Sequence, residues 1–111
     1  MEHKTTVFIA DSGEDFTDRL TAALQRTEGF EVLGSAADGE QAIRMISRCK
    51  PDILVLDLML SKQDGLSVLK AISGIDHPPR VLATSAFMTD YISSAASSLG
   101  VQYLMKKKKL N

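Results

Sequence analysis

Short runs of apolar residues alternate along this chain with longer segments in which apolar residues recur every three or four positions. Five runs predict buried strands, at Val7 to Ala10, Glu31 to Ala36, Ile53 to Leu56, Arg80 to Thr84 and Val101 to Met105. The segments between them predict four helices, which begin at Glu14, after Asp38-Gly39, after Asp64-Gly65 and at Thr89-Asp90. Gly29 and Gly100 follow the first and fourth helices, where glycine commonly ends a helix. Strands and helices therefore alternate from the first strand to the fifth.

This alternation predicts an α/β fold with a parallel sheet and helices on both of its faces. The run Ile53-Leu54-Val55-Leu56 is apolar at every position, which is typical of a central strand buried on both sides. In doubly wound sheets of this kind, the ligand site lies outside the C-terminal ends of the strands, where the strand order reverses. The chemistry of the chain is expected at that edge.

Composition narrows the class of protein without naming a function. The 111 residues suffice for one domain, and 44% hydrophobic with 24% charged residues is ordinary for a globular protein. No apolar run approaches the length of a membrane-spanning helix or a secretory signal, so we expect no membrane contact. The single cysteine, Cys49, forms no disulfide within the chain, which favours the reducing cytoplasm.

The formal net charge of −1 hides an uneven distribution of charge. Lys106 to Lys109 hold four of the 13 basic residues, so the remainder carries 9 basic against 14 acidic residues, a net charge of −5. An acidic body argues against nucleic-acid binding by this domain. The lysine run is interpreted as the solvated end of a strand, and one of its lysines is expected to belong to the functional site.

Polar side chains occur where the predicted strands end. Asp11 follows the first strand and Asp57 the third, Thr84-Ser85 end the fourth, and Lys106-Lys107 end the fifth. Either aspartate alone is as well explained as a turn residue. Together, two carboxylates suit a hard cation such as Mg²⁺, while a hydroxyl and an ammonium group suit phosphoryl oxygens. This set predicts phosphoryl transfer onto a carboxylate.

The residues at these strand ends carry a resemblance to a known family. The stretches VFIADS, ILVLDLMLSKQDG, VLATSAF and LGVQYLMKK resemble the receiver domains of two-component response regulators, and among them most closely those of sporulation transcription regulators. The separations of 46 residues (Asp11 to Asp57), 28 (Asp57 to Ser85) and 22 (Ser85 to Lys107) fit that family without a gap. The resemblance implies a flavodoxin-like doubly wound five-stranded sheet in the order 2-1-3-4-5.

The resemblance also implies a role for each strand-end residue. Asp57 would be the phosphoacceptor, and Asp11 and Asp57 would hold Mg²⁺ together with the backbone carbonyl of Met59. Ser85 takes the place of the family's switch hydroxyl. Lys107 takes that of the phosphate-binding lysine, which Lys106 would replace if the last strand were shifted by one residue.

The chain departs from the family pattern at several positions. Ser12 stands where receivers generally carry a second acidic metal ligand, so Ser12 is expected to bind Mg²⁺ weakly or through water. Leu60-Ser61 replaces the usual Met-Pro, and Lys107-Lys108 replaces the usual Lys-Pro. Leu104 stands where many receivers have an aromatic switch residue, and Tyr103 beside it should point to the opposite face of the sheet.

Two functions remain open on this basis. In the first, the chain is a receiver phosphorylated by a histidine kinase or phosphotransferase that switches its own C-terminal output domain, a DNA-binding transcription domain absent here. A homodimer through the face of helix 4 and strand 5 is a further expected contact. In the second, the chain is a divergent pseudo-receiver that binds a partner without phosphorylation.

An enzyme is disfavoured, because aspartyl-phosphate phosphatases place a second aspartate where this chain has Met59. A flavin-binding protein is also disfavoured, because residues 11–15 are too acidic to hold a phosphate. Residues 1–111 are interpreted as the receiver part of a longer regulator in which the fifth helix is missing or truncated.

Overall fold

The computed structural model describes residues 3–60, 64–87 and 89–106 and contains the predicted alternation of strands and helices. The five strands are β1 (Thr5–Ala10), β2 (Phe30–Ala36), β3 (Ile53–Asp57), β4 (Arg80–Ser85) and β5 (Tyr103–Lys106). The four helices are α1 (Glu14–Gln25), α2 (Gly39–Cys49), α3 (Gly65–Ile72) and α4 (Asp90–Ser98). The segment after β5, where a fifth helix would begin, lies outside the described residues.

All neighbouring strands are parallel, in the order β2-β1-β3-β4-β5, which confirms the predicted fold class. β3 is central, and its side chains alternate between the two faces of the sheet. Leu54 and Leu56 belong to the larger core, which packs beneath α2, α3 and α4, while Val55 joins the smaller core beneath α1. The uninterrupted apolar run of β3 therefore follows from burial on both sides.

The predicted helix starts are confirmed by their caps. Asp38, Asp64 and Thr89 are the N-cap residues of α2, α3 and α4, and each side-chain oxygen accepts a hydrogen bond from the backbone N–H three residues later. These caps satisfy amides that the first turn of a helix leaves unpaired. They also hold the loops between strands and helices at the edge of the sheet where the strands end.

Several predicted boundaries are wrong by one to three residues. β1 begins two residues earlier than Val7, because Thr5 N–H donates to the Gly29 carbonyl at 2.7 Å and extends the pairing with the start of β2. β5 begins at Tyr103 rather than Val101. α1 ends at Gln25, short of the end that Gly29 indicates, and the Thr27 hydroxyl donates to the Ala23 carbonyl just beyond the helix. These differences arise from hydrogen bonds that periodicity does not encode.

None of the helices in the described part of the chain is both long enough and apolar enough to pass through a bilayer.

Candidate functional site at the C-terminal edge of the sheet

Parallel pairing brings the two predicted carboxylates to neighbouring positions. Ala10 of β1 pairs with Leu56 of β3, so Asp11 and Asp57 are the next residues on adjacent strands. Adjacent strands in a sheet run about 4.8 Å apart. The Asp11 N–H donates to the Ala36 carbonyl at 3.0 Å, which continues the β1–β2 pairing past the end of the strand. Both aspartates are therefore held at one edge by the regular backbone of the sheet.

The two carboxylates are oriented in the same way by the loops that follow them. Asp11 Oδ1 accepts a hydrogen bond from Gly13 N–H at 2.7 Å. Asp57 Oδ1 accepts one from Met59 N–H at 2.8 Å. Each is a contact between a side chain and the amide two residues later, which is the geometry of an Asx turn. One oxygen of each carboxylate is thus fixed by its own loop before any ligand binds.

Burial makes this pair of carboxylates unusual. Asp11 is 3% exposed and Asp57 is 6% exposed. Two ionised groups on neighbouring strands repel each other, and removing them from water adds to that cost. A divalent cation offsets both effects, and Mg²⁺ prefers oxygen ligands. The donor set of Asp11, Asp57 and the Met59 carbonyl fits such an ion, although the described residues contain no group of three acidic, histidine or cysteine ligands.

The hydroxyl of Ser85 lies at the same edge but is engaged with its own loop. Ser85 ends β4 and is fully buried. Its Oγ donates to the Phe87 carbonyl at 2.5 Å and accepts from the Phe87 N–H at 3.2 Å. The side chain of Phe87 is 64% exposed. The sequence placed Ser85 at the site but did not indicate that Phe87 holds its hydroxyl.

A second hydroxyl at this edge has no hydrogen bond within the described residues. Thr84 pairs with Asp57 across β3 and β4, and its side chain is 6% exposed. Its Oγ1 is buried without a hydrogen-bond partner in the described ranges. Buried hydroxyls are ordinarily paired, so this one is a polar group that a ligand or water can satisfy. The sequence places Thr84 at the end of the fourth strand but does not indicate a function for its hydroxyl.

Gly65 is a further residue whose importance the sequence did not show. It is the first residue of α3, and its N–H donates to the Leu58 carbonyl at 3.1 Å. A Cβ atom at this position would lie 2.4 Å from the Leu58 Cα and 2.9 Å from the Asp57 carbonyl oxygen. Only glycine allows α3 to approach the Asp57 loop this closely. In the sequence, the Asp64-Gly65 pair indicates only the start of a helix.

The remaining predicted site residues divide into two groups. Ser12 is exposed beside the buried Asp11, and Met59 lies in the loop after Asp57 with 47% of its surface exposed. Lys107 and Ser61 lie outside the described residues, so their predicted places stay predictions. The backbone of Lys106 pairs with Ser85, at the last described position of β5. The strand register therefore brings the start of the lysine run to the same edge as Ser85.

The predicted difference between Leu104 and Tyr103 is confirmed. Leu104 is half-buried and packs against the larger core, whereas Tyr103 is 63% exposed. The position that is aromatic in many receivers is therefore aliphatic here and contacts the core. The nearest exposed aromatic residue in the loop that follows Ser85 is Phe87.

Comparison with known proteins agrees with this geometry. The sequence pattern of the response regulator receiver domain matches residues 7–111, nearly the whole chain. The chain belongs to this family, and it is the receiver domain of a two-component response regulator. The parallel sheet in the order β2-β1-β3-β4-β5 is therefore the fold of this family.

Particular relatives resemble the chain at moderate identity. It is 29% identical over 85 residues to the transcriptional regulatory protein PdtaR of Mycobacterium tuberculosis, an alignment that covers 77% of this chain and 42% of PdtaR. It is 29% identical, with a TM-score of 0.88, to the receiver domain of NarL from the same organism, covering 97% of this chain and 87% of that one. A complex of CheX and CheY with beryllofluoride and Mg²⁺ from Borrelia burgdorferi is 27% identical with a TM-score of 0.84, covering 97% and 81%. The chain thus spans less than half the length of the curated relative that it matches.

Proposed function

We propose that this receiver domain is a phosphoacceptor switch in which Asp57 takes a phosphoryl group from a histidine kinase or a phosphotransferase. The observation that carries the proposal is the pair of buried carboxylates, Asp11 and Asp57, on adjacent strand ends beside the buried hydroxyl of Ser85. A structural role alone does not explain why two acidic groups are buried side by side. The domain acts as a switch rather than as an enzyme with a separate substrate.

The phosphoryl transfer uses the Asp57 carboxylate as the nucleophile. One oxygen of the Asp57 carboxylate attacks the phosphorus, while the Met59 N–H orients the group by donating to Oδ1. An O–P bond forms as the P–N bond of the donor phosphohistidine breaks, and the imidazole nitrogen keeps the electron pair. The product is an acyl phosphate on Asp57. The fixed Oδ1 keeps the carboxylate in one orientation during the attack.

Asp11, Asp57 and the Met59 carbonyl would hold Mg²⁺ at this site. The ion supplies positive charge that balances the carboxylates and the phosphoryl oxygens. Ser12, which is exposed, adds a neutral hydroxyl where a second carboxylate would bind the ion more strongly. We therefore expect Mg²⁺ affinity to be low for a receiver. The related CheY complex that contains both Mg²⁺ and beryllofluoride supports this choice of ion.

The Ser85 hydroxyl couples the phosphoryl group to the loop after β4. A serine hydroxyl has one proton to donate, and in this structure it goes to the Phe87 carbonyl. Donation to a phosphoryl oxygen on Asp57 therefore requires the bond to Phe87 to break. The Phe87 carbonyl and N–H must then find other partners, so residues 85–87 change conformation. Phosphorylation is thereby transmitted to an exposed aromatic residue at the start of the α4 region.

The test is phosphorylation of the chain by acetyl phosphate in Mg²⁺, followed by intact-mass measurement and by NMR with beryllofluoride. We expect the mass to rise by one phosphoryl group, and the amides of Asp57 to Met59 and Ser85 to Phe87 to shift. Asp57→Asn is the matched variant and should show neither change. If the wild-type chain gains no mass and shows no shift that depends on Asp57, it is the alternative, a pseudo-receiver that binds a partner without phosphorylation.

The output of this switch is proposed to be transcription. PdtaR is a transcriptional regulatory protein, and the alignment with this chain covers 42% of it. The output domain that we propose is a C-terminal DNA-binding domain. The more specific resemblance to sporulation regulators, and the cytoplasmic location, stay predictions. The acidic body of this domain favours a role that does not include binding nucleic acid itself.

The proposed contact surface for a partner or a second copy is the face of α4 and β5. Large apolar side chains are exposed there and in the loop before α4: Phe87, Tyr91, Tyr103 and Met105. Exposed apolar patches of this kind commonly mark interaction sites. Light scattering with and without beryllofluoride tests for a dimer, and Tyr103→Ser should reduce any association without changing phosphorylation. Equal association of Tyr103→Ser and wild type would place the contact elsewhere.

A further inference from the structure

A cleft lies at the edge of the sheet opposite the proposed phosphorylation site, where β1, β3 and β4 begin and α2 ends. We call it the N-terminal cleft. It has a volume of about 610 Å³, and its walls include His3, Phe30, Lys50, Asp52, His77 and Arg80. That volume lies in the range of small-molecule sites. Neither the family comparison nor the proposed phosphoryl transfer assigns this cleft a role.

Asp52, one of the lining residues, is held in place by hydrogen bonds to the neighbouring strands. Asp52 Oδ2 accepts from the Thr6 N–H at 2.8 Å and from the Thr6 hydroxyl at 3.0 Å. The Asp52 N–H donates back to the Thr6 hydroxyl at 2.9 Å, and the Asp52 carbonyl accepts from the Arg80 N–H at 2.9 Å. These contacts join the starts of β1, β3 and β4. The cleft therefore has a preorganised base.

The charge on the walls favours an anion. Lys50 and Arg80 supply two fixed positive charges, and both histidines of the chain add ring N–H donors. Asp52 is the acidic residue among these lining side chains: hydrogen bonds from Thr6 lower its pKa, so it carries one negative charge, and its Oδ2 lies 3.9 Å from His3 Nε2. Lys50 and Arg80 together outweigh this carboxylate by one positive charge. This local excess of positive charge occurs on a body whose net charge without the lysine run is −5. The contrast points to binding of negative groups at this edge.

Backbone strain at the same cleft is an independent observation. Lys50 has φ 46° and His77 has φ 53°, and these are the two residues other than glycine with positive φ in the described ranges. Lys50 is the C-cap of α2, a position at which glycine or asparagine is favoured because a longer side chain is strained there. Both residues with a left-handed backbone, Lys50 and His77, have side chains that can donate hydrogen bonds, and both line the cleft. Strain of this kind is concentrated at ligand sites.

We propose that the N-terminal cleft is a binding site for a small anion, a phosphate or polycarboxylate compound, held by Lys50, His77 and Arg80. It is separate from the Asp57 site, so its existence does not depend on the phosphoacceptor function. Arg80 presents a planar guanidinium that pairs with two oxygens of such a group, and Lys50 adds a point charge. Phe30 and the neighbouring prolines provide an apolar wall for the rest of the ligand.

The test is an NMR titration of the Asp57→Asn variant in EDTA, which removes phosphorylation and Mg²⁺ binding from the readout. Inorganic phosphate and citrate are the two probes, and they distinguish a phosphate ligand from a polycarboxylate. With at least one of them, we expect amide shifts confined to residues 3–6, 50–53 and 77–80. Shifts centred instead on residues 57–59 and 84–87, or no saturable shift with either probe, would overturn the proposal.

Lys50→Asn separates a binding role from a structural one. Asparagine tolerates the left-handed backbone, so we expect the melting temperature to rise by about 2–4 °C. Anion affinity should fall on the order of fivefold, because a charged donor is lost. Lys70→Asn, at an exposed position of α3, makes the same change in charge and should leave anion affinity unchanged. Retention of wild-type affinity in Lys50→Asn, or an equal loss in Lys70→Asn, would contradict the assignment.

Discussion

The close approach of α3 to the Asp57 loop makes Gly65→Ala the most informative single substitution. The added Cβ would lie 2.4 Å from the Leu58 Cα, whereas ordinary contacts begin at 3.4 Å, so the two atoms must move about 1 Å apart. The obstacle is backbone, which cannot rotate away as a side chain can. Either α3 or the loop after β3 must move by about this distance.

The magnitude follows from what the displaced segment contacts. Leu58 N–H donates to the Thr84 carbonyl at 2.8 Å, and the Leu58 carbonyl accepts from Gly65 N–H at 3.1 Å. A shift of about 1 Å weakens or breaks both bonds, each worth about 1 kcal/mol. Overpacking adds about 1–3 kcal/mol. With both bonds lost, we therefore expect Gly65→Ala to lower the free energy of unfolding by about 3–5 kcal/mol, a large part of a typical domain's stability.

Urea unfolding followed by circular dichroism measures this loss, and acetyl phosphate labelling measures the effect on Asp57. Because Met59 N–H holds Asp57 Oδ1, movement of this loop should also slow phosphorylation. Gly74→Ala is the matched control: no atom lies within 4 Å of its added Cβ, and its φ is not positive, so its stability should be unchanged or slightly higher. If Gly65→Ala unfolds within about 0.5 kcal/mol of wild type, the reasoning from close approach is refuted.

Three further substitutions test the site and the opposite edge of the sheet. Ser12→Asp should tighten Mg²⁺ binding by roughly tenfold in calorimetry, since a carboxylate replaces a neutral hydroxyl, and unchanged affinity would contradict the role given to this position. Thr84→Val removes a buried hydroxyl that has no hydrogen bond in the described ranges and should raise the free energy of unfolding by about 1 kcal/mol, whereas a loss would mean that the hydroxyl is paired. Hydrogen bonds from Thr6 lower the pKa of Asp52, so its contribution to stability is present above the pKa of the unfolded state and is lost as pH falls through the lower pKa of the folded state. In Asp52→Asn, the free energy of unfolding should therefore fall less steeply as the pH is lowered from about 6 to about 3. Urea unfolding midpoints across this range measure the slope, and a slope equal to that of wild type would refute this account.

The chain's order of elements and the edge that carries its chemistry could be predicted from sequence because both depend on local pattern. An apolar run such as Ile53 to Leu56 identifies a central strand, and parallel pairing requires the residues that follow such strands to meet at one edge. Asp11, Asp57 and Ser85 were placed together on that basis, and the strand register confirms their positions. The caps Asp38, Asp64 and Thr89 were visible for the same reason, since capping acts within one helical turn.

Contacts between segments distant in sequence were decided by the tertiary structure. Gly65 appears in the sequence as a turn residue, and only the packing of α3 against Leu58 makes it irreplaceable. The hydrogen bond from the Ser85 hydroxyl to the Phe87 carbonyl likewise depends on the path of the loop after β4. The N-terminal cleft forms because Asp52 joins the starts of three strands, so that Lys50 and Arg80, thirty residues apart, line one cavity. Periodicity and spacing fix which face or edge a residue occupies, but the distance between two segments at that edge is set by side-chain volume and backbone approach, which exist only once the chain has folded.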